Sequence, residues 1–145
     1  MFISNLTDRG AMPALIGTLA FNEARLKMIA ENVANATTPG YRAKRLDARS
    51  FQAALRQALD ARGGDPNRPF VIRDTGQVKT DRYGSLQVTP SEMPVGNVLF
   101  HDGTNMSIER EMADLAETGM THELAATLLR GRFDGLRKAI RGTPG

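Results

Sequence analysis

Residues Ser107–Arg141 read SIEREMADLAETGMTHELAATLLRGRFDGLRKAIR, and this stretch constrains the fold more tightly than any other part of the chain. Ile108, Met112, Leu115, Gly119, His122, Ala126, Leu129, Phe133, Leu136 and Ile140 recur at alternating intervals of four and three without a slip. That spacing keeps all ten on one face of a helix. Ser107 is placed to cap the first turn, and Gly142-Thr143-Pro144-Gly145 ends the pattern. About 34 helical residues would reach roughly 51 Å, which is long for a small globular domain and ordinary for a coiled coil. The charges along it are segregated. Glu109, Glu111, Asp114, Glu117 and Glu123 come first, then Arg130, Arg132, Arg137, Lys138 and Arg141. Acid at a helix start and base at its end complement the backbone dipole, and the same arrangement allows acid-to-base stacking on a second copy.

A matching stripe opens the chain. Met12, Leu15, Leu19, Asn22, Leu26, Ile29, Val33 and Ala36 alternate threes and fours, with only Asn22 breaking the apolar face. Pro13 suits a first helical turn. Thr38-Pro39-Gly40-Tyr41 marks the stop, because Pro39 disfavours helix at Thr38 and Pro-Gly suits the centre of a type II turn. Asn32 and Asn35 stand three apart in the last turns, although Asn is a mediocre helix former. They serve either to cap the free carbonyls of the helix end or to hydrogen-bond an adjacent subunit.

Between the stripes the character changes. Ser50–Arg62 fits a short amphipathic helix using Phe51, Leu55 and Leu59. Gly63–Asn97 carries five Gly and four Pro with no helical period, which predicts a mobile loop or a poorly packed insert. Val71-Ile72, Leu86-Gln87-Val88 and Val98-Leu99-Phe100 are its only strand candidates. There is no internal repeat. The expected fold is mainly α: long N- and C-terminal helices pair antiparallel as a coiled-coil-like bundle, with an irregular Gly/Pro-rich middle holding at most short β segments. The divisions fall at residues 1–41, an N-terminal assembly helix and turn; 42–105, the irregular middle; and 106–145, a C-terminal assembly helix. Ile16, Phe21, Met28, Met120, Leu124 and Leu128 lie off both stripes and would stay wet in a lone helix pair. The ends therefore read as assembly surfaces.

Composition narrows the chemistry. With six Phe, two Tyr and no Trp, bulk must come from aliphatic side chains, which favours helix-on-helix packing. The absence of Cys excludes disulfide scaffolds, Cys-based zinc sites and thiol catalysis. His101 and His122 are too few for most metal or acid–base constellations. His101-Asp102 reads as a surface turn and His122 as a packed or interface side chain. No phosphate-binding loop, dinucleotide fingerprint or metalloprotease helix is present. No cofactor and no small-molecule substrate are expected. Tyr41-Arg42-Ala43-Lys44-Arg45-Leu46-Asp47-Ala48-Arg49 is the one basic patch. It would make a small nucleic-acid-binding protein the rival reading, but four cations on a loop are more often a solvated surface and no nucleic-acid partner is expected. Neither a cleaved leader nor a membrane-spanning run is visible, since Asn22, Glu23 and Arg25 interrupt the first apolar segment.

Ala30-Glu31-Asn32-Val33-Ala34-Asn35-Ala36-Thr37-Thr38-Pro39-Gly40-Tyr41 resembles the N-terminal signature of bacterial flagellar rod and hook proteins, in which an apolar helix runs into Asn-x-x-Asn-Ala and then Thr-Pro-Gly-Tyr. Phe51-Gln52-Ala53-Ala54-Leu55, His101-Asp102-Gly103-Thr104-Asn105 and the C-terminal helix resemble the short rod members of that family. His122 departs from it, standing where a Tyr is expected, as does Thr118-Gly119. The resemblance implies a non-enzymatic structural subunit of the basal body, exported without cleavage through the flagellar type III apparatus. It would polymerise into the drive shaft that crosses the periplasm. Implied partners are copies of itself, other rod proteins, the adaptor joining rod to membrane ring, and the export gate. The assembly residues so implied are Leu15, Leu19, Leu26, Ile29, Asn32, Val33, Asn35, Pro39, Gly40 and Tyr41, with Ile108, Met112, Leu115, Leu129, Phe133, Leu136 and Ile140. Phe51 and Leu55 resemble the short apolar motif that engages the export gate, and Phe2-Leu6 has the same spacing.

Overall fold

The computed structural model describes residues 10–65, 67–92 and 108–142. Within them the chain is mainly helical, with α1 (Met12–Ala34), α2 (Ala48–Arg62) and α3 (Ile108–Arg141). Four short strands complete it: β1 (Lys44–Arg45), β2 (Val78–Thr80), β3 (Leu86–Val88) and β4 (Ser91–Glu92). The strands pair antiparallel, β1 with β4 and β2 with β3.

Local rules account for the ends of the first two helices. Pro13 sits in the opening turn of α1, where its missing N–H costs nothing. At the other end the Asn35 backbone N–H donates to Glu31 and Asn32 carbonyls, and its side-chain amide donates to Glu31 O at 2.8 Å. The carbonyl-capping reading of Asn35 is the one the geometry matches. Tyr41 N–H then donates to Thr38 O at 3.2 Å across Pro39-Gly40, with Gly40 at φ +73°. That is the expected type II turn. In α2, Asp47 accepts the Ser50 N–H at 3.0 Å and the Ser50 hydroxyl at 2.8 Å. These bonds hold its carboxyl below the usual carboxylate range. Gly63 closes α2 in the left-handed region.

The core forms where α1 meets α2 and the middle segment, and Leu115 of α3 packs against it. Phe21, Met28 and Ile29 of α1 meet Leu46, then Phe51, Ala54 and Ala58 of α2, and finally Ile72 and Val78. The Phe21 and Phe51 rings stack in parallel with centroids 4.1 Å apart. Gly17 lets the middle segment approach, since a Cβ there would stand 3.0 Å from Ile72 Cδ1. The sequence-based expectation for residues 63–97 therefore needs correcting. The segment is not simply an insert: Ile72 and Val78 are 5% and 2% exposed, and β2–β3 forms a ladder against the core. Val71-Ile72 is not a strand, Leu86–Val88 is, and Val98-Leu99-Phe100 lies outside the described residues. The basic loop yields β1, which polarity had hidden. Gln77 joins both ladders to α2: its Oε1 accepts the Asp47 N–H at 2.8 Å, and its Nε2 donates to Arg45 O at 2.8 Å and Ser91 Oγ at 2.6 Å. Phe21 and Met28, expected to need a neighbouring chain, are buried within their own.

α1 and α3 pack together and run antiparallel, because partner numbers on α3 fall as those on α1 rise. Asn22 Nδ2 donates to Thr121 Oγ1 at 3.2 Å, Arg25 pairs with Asp114 at 3.3 Å, and Asn32 Nδ2 donates to Glu111 Oε2 at 3.3 Å. The buried positions of α3 are Glu111, Thr118 and Ala125, small or polar side chains seven apart. Of the predicted stripe, Leu115, Gly119, His122, Ala126, Leu129 and Leu136 are half-buried, whereas Ile108, Met112, Phe133 and Ile140 are exposed. A Cβ at Gly119 would meet nothing within 4 Å, so no close helix contact demands glycine there.

Candidate assembly site

Asn32 is fully buried, and every hydrogen-bonding position of its amide is filled. Its Oδ1 accepts the Tyr41 hydroxyl at 3.0 Å and the Lys44 N–H at 2.9 Å. Its Nδ2 donates to Lys44 O at 2.9 Å and to Glu111 Oε2 at 3.3 Å. One side chain thus ties α1, the Thr38–Tyr41 turn, β1 and α3 together. Asp in its place would lose both donors and set a second carboxylate beside Glu111. An aliphatic residue would orphan a buried N–H and a buried carbonyl. Lys44 Nζ reaches Glu31 at 3.3 Å on the rim. Burial pushes the Tyr41 phenol above its usual value; nearby Lys44 opposes this, and Glu31 and Glu111 add to it. The phenol stays protonated and able to donate.

The expected site residues fall into three groups. Ile29 and Asn32 are buried, and Leu15, Leu19, Leu26, Val33, Asn35, Tyr41, Leu115, Leu129 and Leu136 are half-buried. Pro39 and Gly40 form an exposed turn, and Ile108, Met112, Phe133 and Ile140 lie open on α3. Asn32 bonds within its own chain, which answers neither of the roles weighed for it. Phe51 is 3% exposed and Leu55 half-buried, so folding hides the Phe51 ring and leaves part of Leu55 accessible. His101-Asp102 and Phe2-Leu6 lie outside the described residues. Sequence reasoning missed Lys44, Glu111 and Gln77 as fold-joining groups, since their partners are far along the chain.

Two other regions bear on chemistry. A cleft of about 710 Å³ opens between the start of α1 and the β2–β3 hairpin, lined by Ile16, Phe70, Ile72, Tyr83 and Leu86 among others. Its lining includes Arg68, Thr80 and Ser85 and, among the described residues, no His, Asp or Glu to move a proton. In the basic patch, Arg42 pairs with Glu92 at 3.5 Å and Lys44 with Glu31, so half of its cations already face carboxylates.

Comparison with known proteins falls on these same elements. The family model described as "Flagella basal body rod protein" matches residues 12–42, which span α1, Asn32 and the turn. The class to which the helix, the hub and the turn are similar is therefore that of flagellar rod proteins. Within that class the similarity is to FlgB. The chain is 27% identical to the Bacillus subtilis flagellar basal body rod protein FlgB over 138 residues, covering 92% of this chain and 95% of that protein. The Escherichia coli FlgB is 25% identical over 123 residues (81% and 83%), and that of Borrelia hermsii 29% over 121 residues (81% and 85%). The likeness read from Ala30–Tyr41 thus extends over most of the chain.

Proposed function

We propose that this chain is a structural subunit of the bacterial flagellar rod, in its proximal part, and that it works by packing rather than by catalysis. Copies of the chain and other rod proteins join through the terminal helices. Together they form the shaft that carries torque across the periplasm and that an adaptor links to the membrane ring. The subunit reaches its place through the type III export gate. The observation that carries this reading is the Asn32 hub. It lies inside the segment matched by the rod family and fixes the approach of α3 to α1, so that α3 presents a long exposed apolar surface for assembly. The paired cations of the basic patch leave less for a phosphate backbone and weigh against nucleic-acid binding.

The test is Phe133→Asp. A carboxylate at this half-open site would have to shed its hydration in an assembled rod, at several kcal/mol per copy. The subunit should be expressed and delivered to the exporter, yet cells should build no hook and fail to swim. Normal swimming would overturn the reading.

A further inference from the structure

Among the described residues, α1 leaves one end of α3 uncovered. Asn22 stands opposite Thr121 and Asn32 opposite Glu111, so ten residues forward on α1 match ten residues back on α3. That register brings Met12 level with about Gly131, and Arg132–Arg141 runs on for roughly 15 Å past the start of α1. On this tip the face that α1 covers lower down continues as Leu129, Phe133, Leu136 and Ile140, spaced four, three and four. Phe133 is 41% and Ile140 76% exposed. At about 100° per residue, Arg132 falls on one side of this apolar strip and Arg130 and Arg137 on the other. None of the three has an ion-pair partner among the described residues.

The opposite face of the same helix, one to three turns earlier, is the chemical complement. Met120 and Leu124 point away from α1 and are 71% and 60% exposed. Glu123 lies on one side of them and Glu117 on the other, again without ion-pair partners among the described residues. An apolar strip bordered by cations and an apolar strip bordered by carboxylates thus sit on one helix. They lie on nearly opposite faces and cannot meet within one chain.

The geometry points to a head-to-tail contact between copies. The α3 tip of one copy docks on the Glu117–Leu124 face of α3 in the next, Phe133 and Ile140 against Met120 and Leu124, with the Arg132 flank facing one of Glu117 and Glu123 and the Arg130–Arg137 flank facing the other. This deepens the subunit reading and rests on it. Because the two surfaces differ, each docked copy still offers one of each, and the contact propagates instead of closing a pair. Charge favours this receiver over the cleft beside α1, whose lining among the described residues carries Arg68 and no carboxylate.

The natural chain has no Cys, so disulfide trapping reads the contact directly. Leu124→Cys and Ile140→Cys alter exposed positions and should leave the helical circular dichroism signal unchanged. Mixed under mild oxidation, the two single variants should cross-link to each other about tenfold faster than either does to itself. A chain carrying both substitutions should give a ladder of oligomers. Arg132→Glu with Arg137→Glu, one on each flank of the tip variant, should lower the mixed rate about tenfold, and Glu117→Arg with Glu123→Arg on its partner should restore it. Equal self- and cross-trapping would overturn the head-to-tail contact. So would trapping of Ile140→Cys by Tyr83→Cys in preference to Leu124→Cys, or a tip that is taken up by phosphatidylglycerol vesicles and traps no partner. Any of these results beside a Phe133→Asp strain that cannot swim would reject this contact and leave the rod role standing.

Discussion

The two flanks of α1 are built from different materials. Toward α2 and the β2–β3 hairpin the contact is apolar and aromatic: Phe21 on Phe51, with Met28, Ile72 and Val78 around them. Toward α3 it is marked by polar rungs, Asn22–Thr121, Arg25–Asp114 and Asn32–Glu111. Apolar burial is non-directional and supplies stability wherever shapes fit. Hydrogen bonds and ion pairs contribute less net free energy but penalise a wrong register, because a shifted helix strands its buried partners. The first flank therefore holds the fold together, and the second sets where α3 lies.

The contrast can be broken first at the aromatic stack. Phe51→Ala should cost about 3–5 kcal/mol through lost burial and the cavity left behind, read as a large drop in thermal midpoint. A loss near zero would mean the core lies elsewhere. The same substitution bears on secretion, so export should be measured beside Leu55→Ala, a milder change in the folded state. On the polar flank Asn32→Ala comes next, at about 2–4 kcal/mol, since it strands the Lys44 N–H and C=O in a buried site. Hydrogen exchange should then show α3 opening while α2 keeps its protection. Simultaneous loss in both would merge the two flanks into one cooperative unit.

Smaller effects sharpen the picture. Arg25→Ala removes a partly shielded ion pair and should cost about 1 kcal/mol or less, shrinking further in high salt. A salt-independent loss would point to packing by the Arg stem instead. The smallest effect concerns Tyr41. Its folded-state pKa is raised above 10.0, so its contribution is fully present below that value and fades as pH climbs through the folded pKa. Tyr41→Phe should flatten stability above about pH 10 and leave the slope at neutral pH unchanged.

What could be read from the sequence follows the range of each interaction. The Thr38–Tyr41 turn and the caps at Asp47 and Gly63 are local, and Pro39, Gly40 and a capping carboxylate announce them within four residues. The existence of α1 and α3 was equally plain from period. Their faces were not, because Phe21 stacks on Phe51 thirty residues on, and a single-helix pattern cannot say which of two apolar stripes meets which neighbour. Asn32 stood out as an odd residue in a helix, yet its partners Lys44 and Glu111 carry no local mark. β1 consists of Lys and Arg, so alternation gave no signal for it.

The span between the rung partners also orders events in time. Asn32 meets Lys44 twelve residues on, but it meets Glu111 seventy-nine residues on, and Asn22 waits ninety-nine residues for Thr121. Closing the longest of these loops instead of the shortest costs about 2 kcal/mol more in chain entropy. A chain emerging from its N-terminus can therefore set the turn, β1 and the aromatic stack while the last helix is still arriving. Until then the second amide hydrogen of Asn32 faces water, and loop length alone makes the seam between first and last helix the costliest contact of the three to close.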